Sequence, residues 1–305
     1  MTRRTRTSGA AARRCTTVLL AAVSSCALTA GTAGTATAAA PGGQSGGHRS
    51  AYVALGDSYT SGPGIPAQVD AVCARSDRNY PSLIARSRHV TSFTDVSCGG
   101  ATTAEMWQAQ GTNKPQLDAV RRDTDLVTLQ IGGNDIGFGS IISTCAGLSA
   151  QDLSGDPCRR HYNAGGYDAL TVKILQTAPK VTRVLRAVHA RAPHARVVVV
   201  GYPALLPDDG TGCYPTVPFA AKDFPYLRDT QKHLNLMLRT VAHLNRADYV
   251  DTYRPTVGHD MCKAPADRWI EPLVPTSPAA PAHPNAKGQE AMARALLKTL
   301  TRGKV

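Results

Sequence analysis

Three short, mostly apolar runs, residues 51–55 (AYVAL), 125–131 (DLVTLQI) and 196–200 (RVVVV), are set apart by long amphipathic stretches. This alternation limits the possible folds more than any other feature. Short runs of β-branched and aliphatic residues read as buried strands. Residues 91–96 alternate and read as a further strand, and 247–251 as a short one. Periodicity predicts helices at 82–87, at 103–110 with Thr102 or Thr103 as N-cap, at 168–192 with an interruption at Pro179, at 226–246 and at 285–301. In the helix at 226–246, Leu234, Met237, Leu238, Val241 and Leu244 fall on one face. Strands alternating with helices predict an α/β fold with a mostly parallel sheet and right-handed crossovers. Segments 60–80, 140–165, 203–225 and 252–282 read as irregular and are too long for ordinary connections. They are expected to wall a cleft.

The chain has 305 residues and a net charge of +12, but residues 1–40 carry five arginines and no acid. Their cationic start, the apolar stretch 18–30 and the small-residue site Ala36-Thr37-Ala38 (or Ala38-Ala39-Ala40) predict a secretory signal peptide, and hence an extracellular protein. Arg3-Arg4 is a weak twin-arginine feature, and Val23-Ser24-Ser25-Cys26 loosely matches a lipoprotein cleavage box. Residues 41–50 (PGGQSGGHRS) read as a flexible leader, and 51–305 as one domain. Without residues 1–40 the charge falls to +7, and no basic cluster is interleaved with aromatics, so no nucleic-acid partner is expected. No later stretch is apolar for 18 residues, so a soluble mature chain is expected.

Cys15 and Cys26 fall within residues 1–40. The remaining cysteines, Cys73, Cys98, Cys145, Cys158, Cys213 and Cys262, form an even set, which in a secreted chain reads as disulfides. Of the many connectivities, sequential pairing (73–98, 145–158, 213–262) is expected, because it closes loops of moderate length in Gly/Pro/Asp-rich sequence. No two cysteines have zinc-site spacing, and no metal is expected.

Gly56-Asp57-Ser58-Tyr59 directly follows the first predicted strand. Gly56 permits a sharp turn, and Ser58 then projects from the carboxyl edge of the sheet, where α/β proteins bind ligands. A serine hydroxyl becomes a nucleophile only where a base and an anion-stabilising site converge on it. Among nine histidines, His283 stands out, because Pro284-Asn285 would hold it on a short, stiff turn at the start of the last helix. His48 lies in the leader and His89 in the basic patch Arg86-Ser87-Arg88-His89. His161 and His259 are in loops, and His189, His194, His233 and His243 lie on or beside helices. Gly132-Gly133-Asn134-Asp135 follows the run 125–131 and can aim the Asn134 amide into the cleft. Cys98-Gly99-Gly100-Ala101 follows 91–96 and offers a backbone N–H. Both are candidate oxyanion donors, and each alone is also ordinary turn chemistry.

Taken in order, Gly56-Asp57-Ser58, Gly100, Gly132-Gly133-Asn134-Asp135 and His283 resemble the four motif blocks of the SGNH (GDSL-type) hydrolase superfamily. The runs GDSYTSGPG, SCGGATT and IGGNDIGF and the six cysteines look most like its secreted actinobacterial lipases and esterases. The resemblance implies a flavodoxin-like, three-layer α/β/α fold with long disulfide-braced loops. It implies Ser58 as nucleophile, His283 as general base, and Gly100, Asn134 and the Ser58 N–H as oxyanion hole, with no cofactor. In the family pattern an Asp stands three residues before the histidine, but here that position is Ala280. A backbone carbonyl within 276–282 is therefore expected to orient His283, with Asp260, Asp267 and Glu271 as competing acids, and Asp57 is read as a turn residue. The implied function is a secreted lipase or esterase. A phospholipase A1, a carbohydrate O-deacetylase and a non-catalytic binding domain are the alternatives. Aromatic content of 5% gives no sign of a sugar-stacking platform. Ile65, Phe138, Ile141, Ile142, Leu205, Leu206 and Phe219 are candidates for holding an acyl chain. No segment reads as a helical lid, and a monomer in transient contact with lipid interfaces is expected.

Overall fold

The side chains that alternate along the buried strands fix how the layers stack. The structure, a computed structural model, describes residues 50–88 and 90–302. The predicted signal peptide, most of the leader and His89 lie outside the described residues. In chain order the elements are β1 (Ala51–Gly56), α1 (Ser58–Ser61), β2 (Gln68–Asp70), β3 (Arg75–Ser76), α2 (Tyr80–Ser87), β4 (Ser92–Asp95), β5 (Leu126–Gln130), α3 (Phe138–Ser149), α4 (Pro157–Asn163), α5 (Ala169–Arg191), β6 (Arg196–Val200), α6 (Asp223–Leu244), β7 (Asp248–Val250) and α7 (Ala286–Arg302). The main sheet has the order β4-β1-β5-β6-β7 with every pair parallel.

Val53, Leu55, Val127, Leu129, Val197 and Val199 join one core with the apolar faces of α5 and α6. Tyr52, Ala54, Leu126, Val198, Val200 and Val250 join the other with Tyr80 and Ile84 of α2 and Met292, Leu296 and Leu300 of α7. A strand covered on both faces reads as a near-continuous apolar run, which is why RVVVV carries no polar alternation. The result is three layers, α/β/α. The chain runs first to β4 on one side of β1 and then to β5 on the other. Reversal of this kind opens a crevice at the strands' carboxyl ends, here between β1 and β5. Among the described residues no helix is long and apolar enough to cross a membrane.

The structure departs from the sequence reading in places. Segment 140–165 is largely helical, as α3 and α4, rather than irregular. Both helices are held by tertiary links: the Cys145–Cys158 disulfide joins them, and Asp223 of α6 accepts the Cys158 and Arg159 N–H groups at 2.9 Å, capping α4 from outside. Segment 60–80 contains the small antiparallel pair β2–β3. The predicted helix 103–110 shrinks to a 3₁₀ turn, Thr103–Met106, with Thr102 as N-cap in a capping box with Glu105. Helix α5 runs through Pro179 without interruption. Pro179 and Leu175, whose carbonyl loses its helical donor, both lie on the exposed face, where water can bond that carbonyl. The other disulfides join Cys73 to Cys98 and Cys213 to Cys262.

Candidate active site

At the end of β1 the backbone turns through Gly56 at φ 155°, where a Cβ would lie 2.7 Å from the Gln130 carbonyl oxygen, so a side chain has no room. The buried Gln116 amide stands in for a strand neighbour. It accepts the Gly56 N–H at 2.8 Å and donates to the Gly56 carbonyl at 2.9 Å. Asp57 then caps α1, its carboxylate accepting the Tyr59 N–H at 2.9 Å. Ser58 becomes the first residue of the helix, and among the described residues no acceptor takes its backbone N–H.

The segment before α7 brings His283 to this serine. Its Nε2 lies 2.7 Å from Ser58 Oγ, across 225 residues of sequence, and its Nδ1 lies 2.7 Å from the Pro281 carbonyl oxygen. A carbonyl only accepts, so Nδ1 carries the proton and Nε2 presents its lone pair to the serine. Burial lowers the His283 pKa below its ordinary value, and the Pro281 carbonyl works in the opposite direction. None of the three competing acids has a hydrogen bond to the imidazole. Asp260 accepts the Cys262 N–H, and the Asp267 backbone carbonyl meets His259. Glu271, wholly buried, accepts from the N–H groups of Thr276 and Ser277, the Thr276 hydroxyl and the Asn285 amide. Burial works to raise the Glu271 pKa, but those bonds outweigh it and leave the group below the usual range.

The histidine loop is strapped to the serine turn. Tyr59 Oη donates to the Ala282 carbonyl at 2.6 Å, and the Ala280 N–H donates to the Pro63 carbonyl at 2.9 Å. The Tyr59 ring lies 4.8 Å from the His283 ring. Ala282 adopts φ 59° although it is not glycine, a strain of about 1 kcal/mol or more that persists only where surrounding contacts impose it.

Two further turns converge from the other side. Asn134 Nδ2 donates to the Ala101 carbonyl at 2.9 Å, and Asp135 accepts the Thr103 N–H and hydroxyl at 2.9 and 2.5 Å. An amide group has two N–H donors, so one remains for a ligand. Among the described residues no acceptor takes the N–H of Gly100, an exposed residue. Sequence reasoning missed Tyr202, which follows β6 and Gly201. Its hydroxyl donates to Asp57 Oδ2 at 2.5 Å and accepts the Gly133 N–H at 2.8 Å. An aromatic residue at the carboxyl end of the most apolar strand was the available signal.

Ser58 and Asn134 border an apolar pocket lined by Phe138, Ile141 and Ile142 of α3, Leu205, Leu206 and Phe219 of the following wall, Leu227 and Leu234 of α6, and Met261. Ile65, expected in the same wall, lines a separate surface cleft beside Arg78 and Arg268. Among the described residues no group of three or more His, Cys, Asp or Glu side chains is placed to hold a metal ion. The arrangement is suited to acyl transfer: a hydroxyl beside an imidazole in the right tautomer, with Ser58 and Gly100 N–H groups that no acceptor takes among the described residues and an Asn134 amide with one N–H to spare.

Residues 54–291 match the model of the GDSL-like lipase/acylhydrolase family. The chain is 43% identical over 259 residues to "Lipase 2" of Streptomyces coelicolor, covering 82% of this chain and 85% of that protein. It is 32% identical to an "Esterase" of Streptomyces scabiei, covering 79% and 83%. Among solved structures, it superposes on phospholipase A1 from Streptomyces albidoflavus with a TM-score of 0.69 and 28% identity, covering 82% of this chain and 99% of that one. The extracellular lipase from Streptomyces rimosus gives 0.64 and 29%, with the same coverage.

Proposed function

Because the chain belongs to the GDSL-like lipase/acylhydrolase family and is a lipase/esterase, we propose that it is secreted and cleaves acyl esters through an acyl-enzyme on Ser58. The observation that carries this reading is the 2.7 Å approach of Ser58 Oγ to His283 Nε2 beside an apolar pocket. Ser58 attacks the ester carbonyl while Nε2 takes its proton. The developing oxyanion is held by the N–H groups of Ser58 and Gly100 and by the Asn134 amide. Collapse expels the alcohol, which takes the proton back from the imidazolium. Water, deprotonated by the same Nε2, then attacks the acyl carbonyl, and the Ser58 Oγ–acyl bond breaks with Oγ taking the proton back from the imidazolium as the acid leaves. The apolar pocket holds the acyl chain, and the Pro281 carbonyl keeps Nδ1 protonated throughout, so Ser58 and His283 act as a dyad. Residues 1–40 serve as signal peptide, 41–50 as leader and 51–305 as the hydrolase domain, a monomer that meets lipid interfaces only transiently.

A phospholipase A1 activity on the same machinery is the second reading, favoured by the likeness to the Streptomyces albidoflavus enzyme. Two measurements test both. A serine-directed phosphonate should label Ser58, and Ser58→Ala should abolish labelling and hydrolysis with the fold intact; full hydrolysis by Ser58→Ala would overturn the assignment. A panel of p-nitrophenyl esters of rising chain length, a triacylglycerol, a phospholipid and acetylated xylan then ranks the substrate classes. Turnover confined to acetylated xylan would refute the lipolytic reading.

A further inference from the structure

The nucleophile turn and the oxyanion turn are joined by one side chain that belongs to neither. We infer that Tyr202 is a positioning residue for the reaction: its hydroxyl sets the spacing between Ser58 and the Asn134 donor by bonding to Asp57 and Gly133, the residues immediately before each. The inference rests on the Ser58–His283 reading above.

The hydrogen bonds have a single consistent direction. A phenol has one proton to give, and Tyr202 gives it to Asp57 Oδ2 at 2.5 Å. Its lone pair is then available to the Gly133 N–H at 2.8 Å. The other Asp57 oxygen accepts the Tyr59 N–H at 2.9 Å. Both carboxylate oxygens therefore act as acceptors, and the chain runs from the Gly133 N–H through the phenol to the serine turn, each bond polarising the next. Asp57 is 1% exposed. Burial pushes its carboxyl up to about 7, against the bonds from Tyr202 and Tyr59, which lower it. A buried acid that a second buried tyrosine must hold ionised is costly for a simple turn, which an asparagine cap would make as well.

The relay has little slack. A Cβ on Gly133 would stand 3.0 Å from the Tyr202 hydroxyl, so a side chain there would push the phenol back by a few tenths of an ångström. The Tyr202 backbone is pinned to α6, its N–H donating to Asn235 Oδ1 at 2.8 Å and its carbonyl accepting from Asn235 Nδ2 at 2.9 Å. Its ring packs edge-on against Tyr59 at 5.1 Å. Oxyanion stabilisation depends on donor placement to a fraction of an ångström, and this phenol links the two parts that must keep register.

Tyr202→Phe keeps the ring and removes only the hydroxyl. It should lower kcat about 10–100-fold on a short-chain p-nitrophenyl ester and leave KM within about twofold, because the lost register is felt in the transition state. Asn134→Ala alone should lower kcat about 10²–10³-fold. The double variant should fall well short of the product of the two losses, since the phenol acts through the Asn134 turn. Asp57→Asn should reproduce the kcat loss and should add little to Tyr202→Phe. It decides the question alone if Tyr202→Phe does not fold. A Tyr202→Phe kcat within twofold of wild type, or a full multiplicative loss with Asn134→Ala, overturns the inference. If Ser58→Ala is inert in the same assay, that failure leaves the serine assignment standing; an active Ser58→Ala sinks the underlying reading instead.

Discussion

Replacing Glu271 by glutamine tests how His283 is oriented when the expected acid is absent. Glu271 is buried, and its Oε2 accepts from the Thr276 N–H at 2.8 Å, the Ser277 N–H at 3.1 Å and the Thr276 hydroxyl at 3.2 Å. Its Oε1 accepts from Asn285 Nδ2 at 2.7 Å. In Glu271→Gln the amide oxygen can serve one set only. With the oxygen at the Thr276 side, the new NH₂ faces Asn285 Nδ2, and Asn285 cannot turn, because its Nδ2 also donates to the Arg268 carbonyl and its Oδ1 accepts the Gly288 N–H. Mispairing one buried donor costs about 1–3 kcal/mol, and three bonds lose their charge assistance at up to about 1 kcal/mol each. Relief of the buried charge offsets part of this, leaving a net loss of about 2–4 kcal/mol. For a domain of this size that is a fall in Tm of roughly 5–12 °C at pH 7. A carboxyl whose folded pKa is lowered stabilises the fold above its unfolded pKa of about 4.3, and that stability is lost as pH falls through the folded pKa. The gap between wild type and variant should therefore shrink on acidification below about pH 4.3. Thermal unfolding followed by circular dichroism at both pH values measures it. At temperatures where both proteins are folded, kcat should stay within about tenfold and the acid limb of kcat/KM should not move. A variant with unchanged Tm, a kcat lowered more than about 100-fold and a displaced acid limb would mean that Glu271, not the Pro281 carbonyl, orients the imidazole.

The lowered His283 pKa predicts that the base stays neutral, and kcat/KM stays on its plateau, down to below the ordinary histidine value of about 6.5. A pH–rate profile of Asp57→Asn, which removes the other buried group that titrates near neutrality, should show this single limb; a midpoint above 7 would refute the assignment. Ile142→Trp should fill the pocket beside α3 and lower kcat/KM for long-chain p-nitrophenyl esters at least about tenfold while sparing the butyrate, and equal losses on both would place the chain elsewhere. Replacing Cys145 and Cys158 by alanine opens a loop with a sequence separation of 13, worth about 3 kcal/mol in the chain-entropy model. Because α3 carries the wall residues Phe138, Ile141 and Ile142, long-chain activity should fall before short-chain activity in that variant; parallel decay would count against α3 as the acyl wall.

The parallel sheet was legible because burial on both faces leaves the strands mostly aliphatic, as in RVVVV, while Thr128 and Gln130 of DLVTLQI are buried with hydrogen-bond partners. The ends of the strands were legible too, since Gly56, Gly100 and the pair at 132–133 mark turns only small residues make. Segment 140–165 was not legible. Helix α3 contains Gly139, Ser140, Ser143, Thr144 and Gly147, a poor helix sequence by local propensity, and it persists through a disulfide and through the Ala220 N–H donating to the Ser149 hydroxyl. Tertiary links of that kind leave no periodic trace. The same holds for Tyr59 and Tyr202: each reads as an ordinary buried aromatic until the partner of its hydroxyl is known, and those partners lie 223 and 145 residues away.

In the proposed dyad, using a backbone carbonyl in place of an acid moves the problem of orientation from a side chain to a loop. A carboxylate finds its histidine by rotating about its own bonds, whereas the Pro281 oxygen can move only with the chain. The segment before α7 is built accordingly. Pro281 and Pro284 each fix one φ angle, Ala282 is held at positive φ by the bond from Tyr59, and Glu271 gathers the Thr276 and Ser277 amides beneath the loop. The Glu271 N–H in turn donates to the His283 carbonyl at 2.9 Å. Burial lowers the His283 pKa, and the Pro281 carbonyl, a neutral acceptor, offsets that less than a carboxylate would. In that dyad the Pro281 carbonyl takes the place of the missing acid and depends on the course of the ten residues 275–284, so substitutions that loosen them should cost activity with Ser58 and His283 intact.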